Sequence, residues 1–258
     1  HFWSWGYGYL YDVKTKLIVD NKVVDEVVTR TGFRKTSFGN GKIWLNDRVI
    51  QMKGYAQRSS NEWPGVGMSV PPWMSDYSNG LMLEHNANFY RWMHVTPWKQ
   101  DIESCDRVGV IQVMPAGDAE KDAVGRWWGQ RVELMRDAII YNRNSPSILF
   151  YESGNESISR EHMLEMIAIR DKYDPYGGRA IGSREMLDVN IVKLNMGVRC
   201  FILIRAVITR CLRRSIAVMR VYVRIGMNIA ILSINRAQVP CTKGRMPVHT
   251  IIIKICLQ

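Results

Sequence analysis

The chain has 258 residues, nearly half of them apolar, enough for one large domain or one and a half smaller ones with a sizeable core. Its formal charge of +11 suggests an anionic partner until the charges are located: all 24 acidic residues lie at or before Asp188, and the last 70 residues hold 12 Lys+Arg with no Asp or Glu. The first 188 residues therefore carry 35 − 12 = 23 basic against 24 acidic residues, a net of −1, so the basicity belongs wholly to the tail, and no nucleic-acid or membrane partner is expected.

Residues 1 to about 36 read as β. Leu17-Ile18-Val19 and Val23-Val24 flank a turn at Asp20-Asn21, and Val27-Val28 continue the second strand. A further hairpin follows, with Gly39-Asn40-Gly41 turning into Ile43-Trp44-Leu45 and Asn46-Asp47 turning into Val49-Ile50. From Met52 the texture changes to short apolar strands alternating with amphipathic helices. Strands are expected at 52–57, 88–95, 110–115, 147–152 and 179–183. Helical stripes between them run through Met74, Tyr77 and Leu81, then Trp98, Ile102 and Cys105, then Trp128, Val132, Met135 and Ile139, then Met163, Met166 and Ile167. Each stripe reads as core packing. Strand–helix alternation implies a parallel sheet with right-handed crossovers, and five strands in about 130 residues is a little over half of a (β/α)8 barrel. On pattern alone a doubly wound sheet fits equally well.

The composition breaks again beyond residue 188. All nine Trp precede residue 129, whereas four of the five Cys follow residue 199. The lone body cysteine, Cys105, falls in a helical pattern and supports no disulfide framework. The apolar runs of the tail, such as 200–204, are far shorter than the ~20 residues of a membrane span. His1 opens mid-pattern with no leader in view, and the compartment stays open, a periplasmic or secreted one included.

In parallel α/β folds the working residues sit at the carboxyl ends of strands. Three expected strand ends carry polar groups: Tyr55-Ala56-Gln57-Arg58, Arg91-Trp92-Met93-His94 and Glu152-Ser153-Gly154-Asn155-Glu156. A carboxyl beside an apolar wall can be raised in pKa until it donates a proton near neutrality, and Glu156 stands where that work is done, with Asn155 as a partner for a substrate hydroxyl. Blander readings stand beside these. Glu156 can be a solvated residue before a Ser-rich helix start, His94 a core histidine, and Arg91 the partner of a structural carboxylate such as Glu84 or Asp118. No Cys/His pair has metal-ligand spacing, the short Gly runs suit no phosphate loop, and no serine sits in a nucleophile elbow; no cofactor is expected.

The run Leu10-Tyr11, Gly32-Phe33-Arg34, Leu45-Asn46, Lys53-Gly54, Asn88, Arg91 to His94 with Pro97, and Asn144-Ser145-Pro146-Ser147-Ile148 to Gly154-Asn155-Glu156-Ser157 resembles glycoside hydrolase family 2. That family includes β-galactosidases, β-glucuronidases and β-mannosidases. The resemblance implies that residues 1–36 end an immunoglobulin-like sandwich and that 37–188 form the first half of a TIM barrel. It implies Glu156 as general acid/base, Asn155 on the sugar's 2-hydroxyl, and His94 and Arg91 lining the subsite of the reacting sugar. A carbohydrate substrate, β-galactoside-like, is the implied partner; oligomeric state is left open. The competing reading is a non-catalytic carbohydrate-binding or basic interaction protein. Three departures concern the subsite: Gln57-Arg58 where the family often has a His, Ser145 for the common His before Pro-Ser, and Tyr151-Glu152 for a usual Trp-Ser.

Retaining hydrolysis needs a second carboxylate about 5 Å from the first, which the family carries near its seventh strand, and no acid follows Asp188. A shift of reading frame near 188–193 accounts for this. Codons permitted for Asn195 to Ile202, moved by one base, spell Glu-Tyr-Gly-Gly-Glu-Met-Leu-Tyr. Those permitted for Arg210 to Arg220 spell Pro-Met-Phe-Ala-Thr-Glu-Tyr-Cys-Arg-Asp-Glu, with its first glutamate opposite Ser215, 59 positions after Glu156. The tail 189–258 is thus expected to be aberrant, the chain inactive by itself, and the open edges of a half-barrel prone to aggregation.

Overall fold

A computed structural model describes residues 1–39, 42–57, 70–117, 121–156 and 158–183, together with the backbone of three short strands beyond them. Strands β1 (Tyr11–Val19) and β2 (Lys22–Thr31) form an antiparallel hairpin. Its turn residues Asp20 and Asn21 have φ of 49° and 59°, the left-handed pair that matches the twist of a two-residue hairpin and that Asp and Asn tolerate. Strands β3 (Thr36–Gly39), β4 (Lys42–Leu45) and β5 (Arg48–Ile50) make a three-stranded meander, with a second such turn at Asn46-Asp47.

Next come β6 (Met52–Gln57), α1 (Pro72–Glu84), β7 (Phe89–Trp92), α2 (Lys99–Val108), β8 (Ile111–Pro115), α3 (Gly125–Asn142), β9 (Ile148–Gly154), α4 (Arg160–Tyr173) and β10 (Ala180–Ser183). The five strands pair in parallel in sequence order, as the alternation predicts for a right-handed winding. Strand β11 (Tyr222–Val223) joins the β6 edge antiparallel. A separate unit, Gly226–Gln258, holds the antiparallel pair β12 (Leu232–Arg236) and β13 (Ile251–Ile255). The remaining expectations for 189–258 lie outside the described residues. Among the described residues no helix is long and apolar enough to cross a membrane.

Every residue of β7 to β10 is buried, because one face looks into the barrel and the other is covered by helices. Phe89, Ile111, Val113, Phe150 and Ala180 line the inner side. They join one core with Trp3 and with Phe38, Ile43, Leu45 and Ile50 of the meander. Met52, Phe89 and Ile111 open their strands, so the meander and Trp3 close the amino-terminal end of the barrel. Outside, Met114, Ile148, Tyr151 and Ile181 pack against Trp128, Met135 and Ile139 of α3 and Met163 and Met166 of α4. The stripe read on α1 needs correcting: Tyr77 is exposed, and the buried face is Met74, Ser75, Asn79 and Met82. Its two polar members bond to α2, Ser75 Oγ to Asp101 at 2.7 Å and Asn79 Nδ2 to Ser104 Oγ at 2.8 Å. Trp98, expected in the α2 core, is likewise exposed at the helix start.

Two arginines bind the chain together under the barrel. Arg34 donates to the carbonyls of Pro146 and Ile148 at 2.5 and 2.7 Å, and to that of Gly177 at 3.2 Å. Arg179 pairs with Asp174 at 2.8 Å and donates to the carbonyls of Arg143, Ser145 and Ile148. Trp3 donates its indole N–H to the carbonyl of Asp106 at 2.8 Å. The Asp106 carboxylate accepts the backbone N–H and the hydroxyl of Ser147 at 3.0 and 2.5 Å.

Two stability tests follow from this packing. A Cβ at Gly54 would lie 1.7 Å from the Phe89 carbonyl oxygen, so only glycine lets β6 approach β7. Gly54→Ala should lower the urea midpoint by the equivalent of about 3 kcal/mol or more, the upper range of overpacking. Burial pushes the Asp106 carboxyl up to about 6, with the Ser147 bonds pulling the other way. A raised folded value means that its contribution is complete below the ordinary 3.8 and is lost as pH rises through about 6. The stability difference between the wild type and Asp106→Asn should therefore shrink by up to roughly 3 kcal/mol from pH 4 to pH 7, read from urea curves at each pH.

Candidate active site

The carboxyl ends of β6 to β9 meet above the apolar layer, and there the inner wall becomes polar. Arg91 on β7 and Glu152 on β9 point to the same level across the intervening β8, whose Val113 and Pro115 pair with them. Arg91 Nε lies 3.0 and 3.1 Å from the two Glu152 carboxylate oxygens, and Nη2 also contacts Oε1. The same Nη2 donates to Asn155 Oδ1 at 2.9 Å. Exposure is 6% for Arg91, 1% for Glu152 and 3% for Asn155, so the network is shielded from water. A guanidinium only donates, so charge and hydrogen bonding are both met here by acceptor groups.

Glu156 follows Asn155 directly and is half-buried, in the short link between β9 and α4. Ser159 caps α4 by accepting the His162 N–H at 3.3 Å. The start of α4 is also tied to the segment after β8. Asp122 accepts the Ser159 N–H at 3.0 Å, and its other oxygen meets His162 Nδ1 at 2.7 Å. Burial alone would raise the Asp122 carboxyl, but the bonds from His162, Ser159 and Ala123 outweigh it and hold it below the usual carboxylate range. His162 stacks on Trp128 at 3.7 Å between ring centres, and the indole N–H donates to Glu165 at 2.6 Å. The link carrying Glu156 is therefore anchored from α3 and from the β8–α3 segment.

His94 lies just past β7, half-buried, after a cis Met93–His94 peptide bond. Its loop is tied down on both sides, by Met93 N–H to the Gln57 carbonyl at 2.8 Å and by Thr96 Oγ1 to the Pro115 carbonyl at 2.9 Å. Gln57 ends β6, while Arg58 and Asp118 lie outside the described residues. Arg91, His94, Asn155 and Glu156 thus gather at one end of the sheet, with a direct bond joining Arg91 to Asn155.

The structural carboxylate that binds Arg91 is Glu152 rather than Glu84, which is exposed at the end of α1; Asp118 lies outside the described residues. The Tyr151-Glu152 departure is a pair of opposite faces. Tyr151 packs outward and donates to Asp174 at 2.8 Å, while Glu152 holds Arg91 inside. Ser145 lies before β9, and its carbonyl accepts from Arg179 at 2.8 Å beneath the barrel. A seven-residue strand, about 20 Å at 3.3 Å per residue, separates it from the rim. Among the described residues no three His, Cys, Asp or Glu gather to hold a metal ion.

Parallel strands alternating with helices, plugged beneath and polar at their carboxyl ends, define a partial (β/α)8 barrel, here preceded by a β-hairpin. Residues 37–191 match the glycosyl hydrolases family 2 TIM barrel domain, and residues 1–34 match a second domain of glycosyl hydrolases family 2. A β-glucuronidase of Formosa agariphila is 33% identical over 183 residues, covering 70% of this chain and 19% of that protein. A β-galactosidase of Thermoanaerobacter pseudethanolicus is 26% identical, covering 68% of this chain and 24% of that protein. The solved structure of a family 2 β-glucuronidase superposes with a TM-score of 0.66 at 32% identity, over 71% of this chain and 19% of that one. The chain belongs to glycoside hydrolase family 2. It spans about a fifth to a quarter of the length of these relatives.

Arg91→Met leaves the Glu152 charge buried without its counter-ion and should cost about 3–5 kcal/mol of unfolding free energy. A urea titration of the two chains checks this.

Proposed function

We propose that this chain carries the acid/base half of a retaining β-glycosidase site that acts on terminal β-linked sugars. Glu156 protonates the departing glycosidic oxygen and later, as base, activates the water. Asn155 binds the sugar's 2-hydroxyl, and His94 and Arg91 shape the subsite that holds the ring. The observation that carries this reading is the position of Glu156 at the carboxyl end of the fourth parallel strand, next to a buried asparagine whose amide is already oriented. In this reading residues 1–36 close a sandwich domain and 37–188 supply the first half of the barrel. The relatives bear the names of both β-glucuronidases and β-galactosidases, and we take the β-galactoside as the substrate to test first.

The second carboxylate is not supplied after Asp188, where the chain has no acidic residue, and the family likeness to the barrel domain stops at residue 191. Both facts support a frame shift near 188–193. Nucleotide sequence that reads as stops or unrelated residues in the neighbouring frame would refute it.

Saturation-transfer NMR of the chain with p-nitrophenyl β-galactoside and p-nitrophenyl β-glucuronide should show contact with the sugar ring, weakened in Asn155→Ala, and no nitrophenol release. Failure of both sugars to make contact overturns the site. Nitrophenol release that disappears in Glu156→Gln would show instead that the chain completes its own catalytic pair.

A further inference from the structure

Glu152 has no place in the mechanism above, yet it is the least exposed carboxylate at the rim. It cannot be the missing nucleophile. Both of its oxygens accept from Arg91, and at 1% exposure it presents neither to a ligand. What it does reach is the guanidinium that bonds Asn155.

The direction of that bond matters. Arginine has donors only, so the asparagine must turn its carbonyl oxygen toward Arg91. Its NH₂ group is thereby the part left for a ligand, a donor suited to the lone pair of a sugar hydroxyl. A free arginine side chain explores many rotamers, and fixing one costs about 2 kcal/mol of conformational entropy. The two-point grip of Glu152 on Nε and Nη2 meets that cost before any ligand arrives, and does so in a dry setting where the charges attract strongly. We infer that Glu152 is a positioning residue: through Arg91 it holds the Asn155 amide with its N–H donors facing the sugar. The inference rests on the proposed sugar site for its consequence, though not for its geometry.

The test uses the full chain and two probes, p-nitrophenyl β-galactoside and its 2-deoxy counterpart. Glu152→Gln keeps the size of the side chain but loses the two-oxygen grip. It should weaken binding of the parent sugar about tenfold, the equivalent of ~1.4 kcal/mol, and leave the 2-deoxy sugar unchanged. A merely structural Glu152 would weaken both alike, and that result overturns the inference. A second readout needs no sugar. The Asn155 side-chain NH₂ signals, assigned by their loss in Asn155→Asp, should exchange with solvent faster in Glu152→Gln than in the wild type; equal rates also overturn it. If neither sugar binds the wild type, the proposed site has failed, and the exchange rates still decide whether Glu152 holds Asn155. Should Glu152→Gln not fold, Glu152→Asp keeps the charge that neutralises Arg91 but shortens the reach that grips Nε and Nη2, and the same two readouts apply with the same deciding outcomes.

Discussion

The polar rim depends on the layer beneath it staying dry. Phe89, Ile111, Val113 and Phe150 fill the interior of the strands, and Trp3 with the meander residues Phe38, Ile43, Leu45 and Ile50 seals it from below. Trp3 is fully buried, and both its indole N–H and its carbonyl are bonded, to Asp106 and from Asn46. Because water is kept out from that side, the Arg91–Glu152 pair sits on an apolar floor, where its charges attract strongly. Plug, floor and rim are successive levels of one column.

Such a pair adds little to net stability, since desolvating two charges cancels much of their attraction. Its value lies in definition. An apolar pair of the same volume would pack as well but would leave Asn155 with no donor to orient it. The anchoring of the next segment follows the same logic by other means. Asp122, His162 and Trp128 fasten the helix start beyond Glu156 using a carboxylate, an imidazole and an aromatic face. Two neighbouring residues with different tasks are thus secured separately, one from inside the barrel and one from the helical layer.

The strands and helices were legible because burial on two faces leaves long apolar runs, which few alternatives explain. The hairpin turns were legible because Asp-Asn and Asn-Asp suit positive φ. The inner face of α1 was not, since Ser75 and Asn79 look like surface residues until their partners on α2 are in place. Glu152 was visible only as a departure from the family's habit. A carboxylate within a strand says nothing about its role until an arginine 61 positions earlier is brought beside it. The Asp122–His162–Trp128 anchor was missed for the same reason, its members being up to 40 positions apart. Arg91, His94, Asn155 and Glu156 could be picked out as strand-end polar groups, but their common end of the sheet became meaningful only with the family pattern.

The contacts of Arg34 have a consequence for the order in which the molecule can be assembled. Its bonds to Pro146, Ile148 and Gly177 join residues 112, 114 and 143 positions apart. During synthesis the hairpin of β1 and β2 emerges before the segments it is tied to, with Val13, Leu17, Val23 and Val27 exposed even in the finished fold. Its ties to the barrel, from Thr31 to Asn144 and from Arg34 to Pro146, wait for residues 113 and 112 positions further along the chain. Contacts so distant in sequence form late, after the loop entropy between them has been overcome. For all that interval a valine-rich two-stranded ribbon is exposed, the kind of surface that favours self-association in newly made chains.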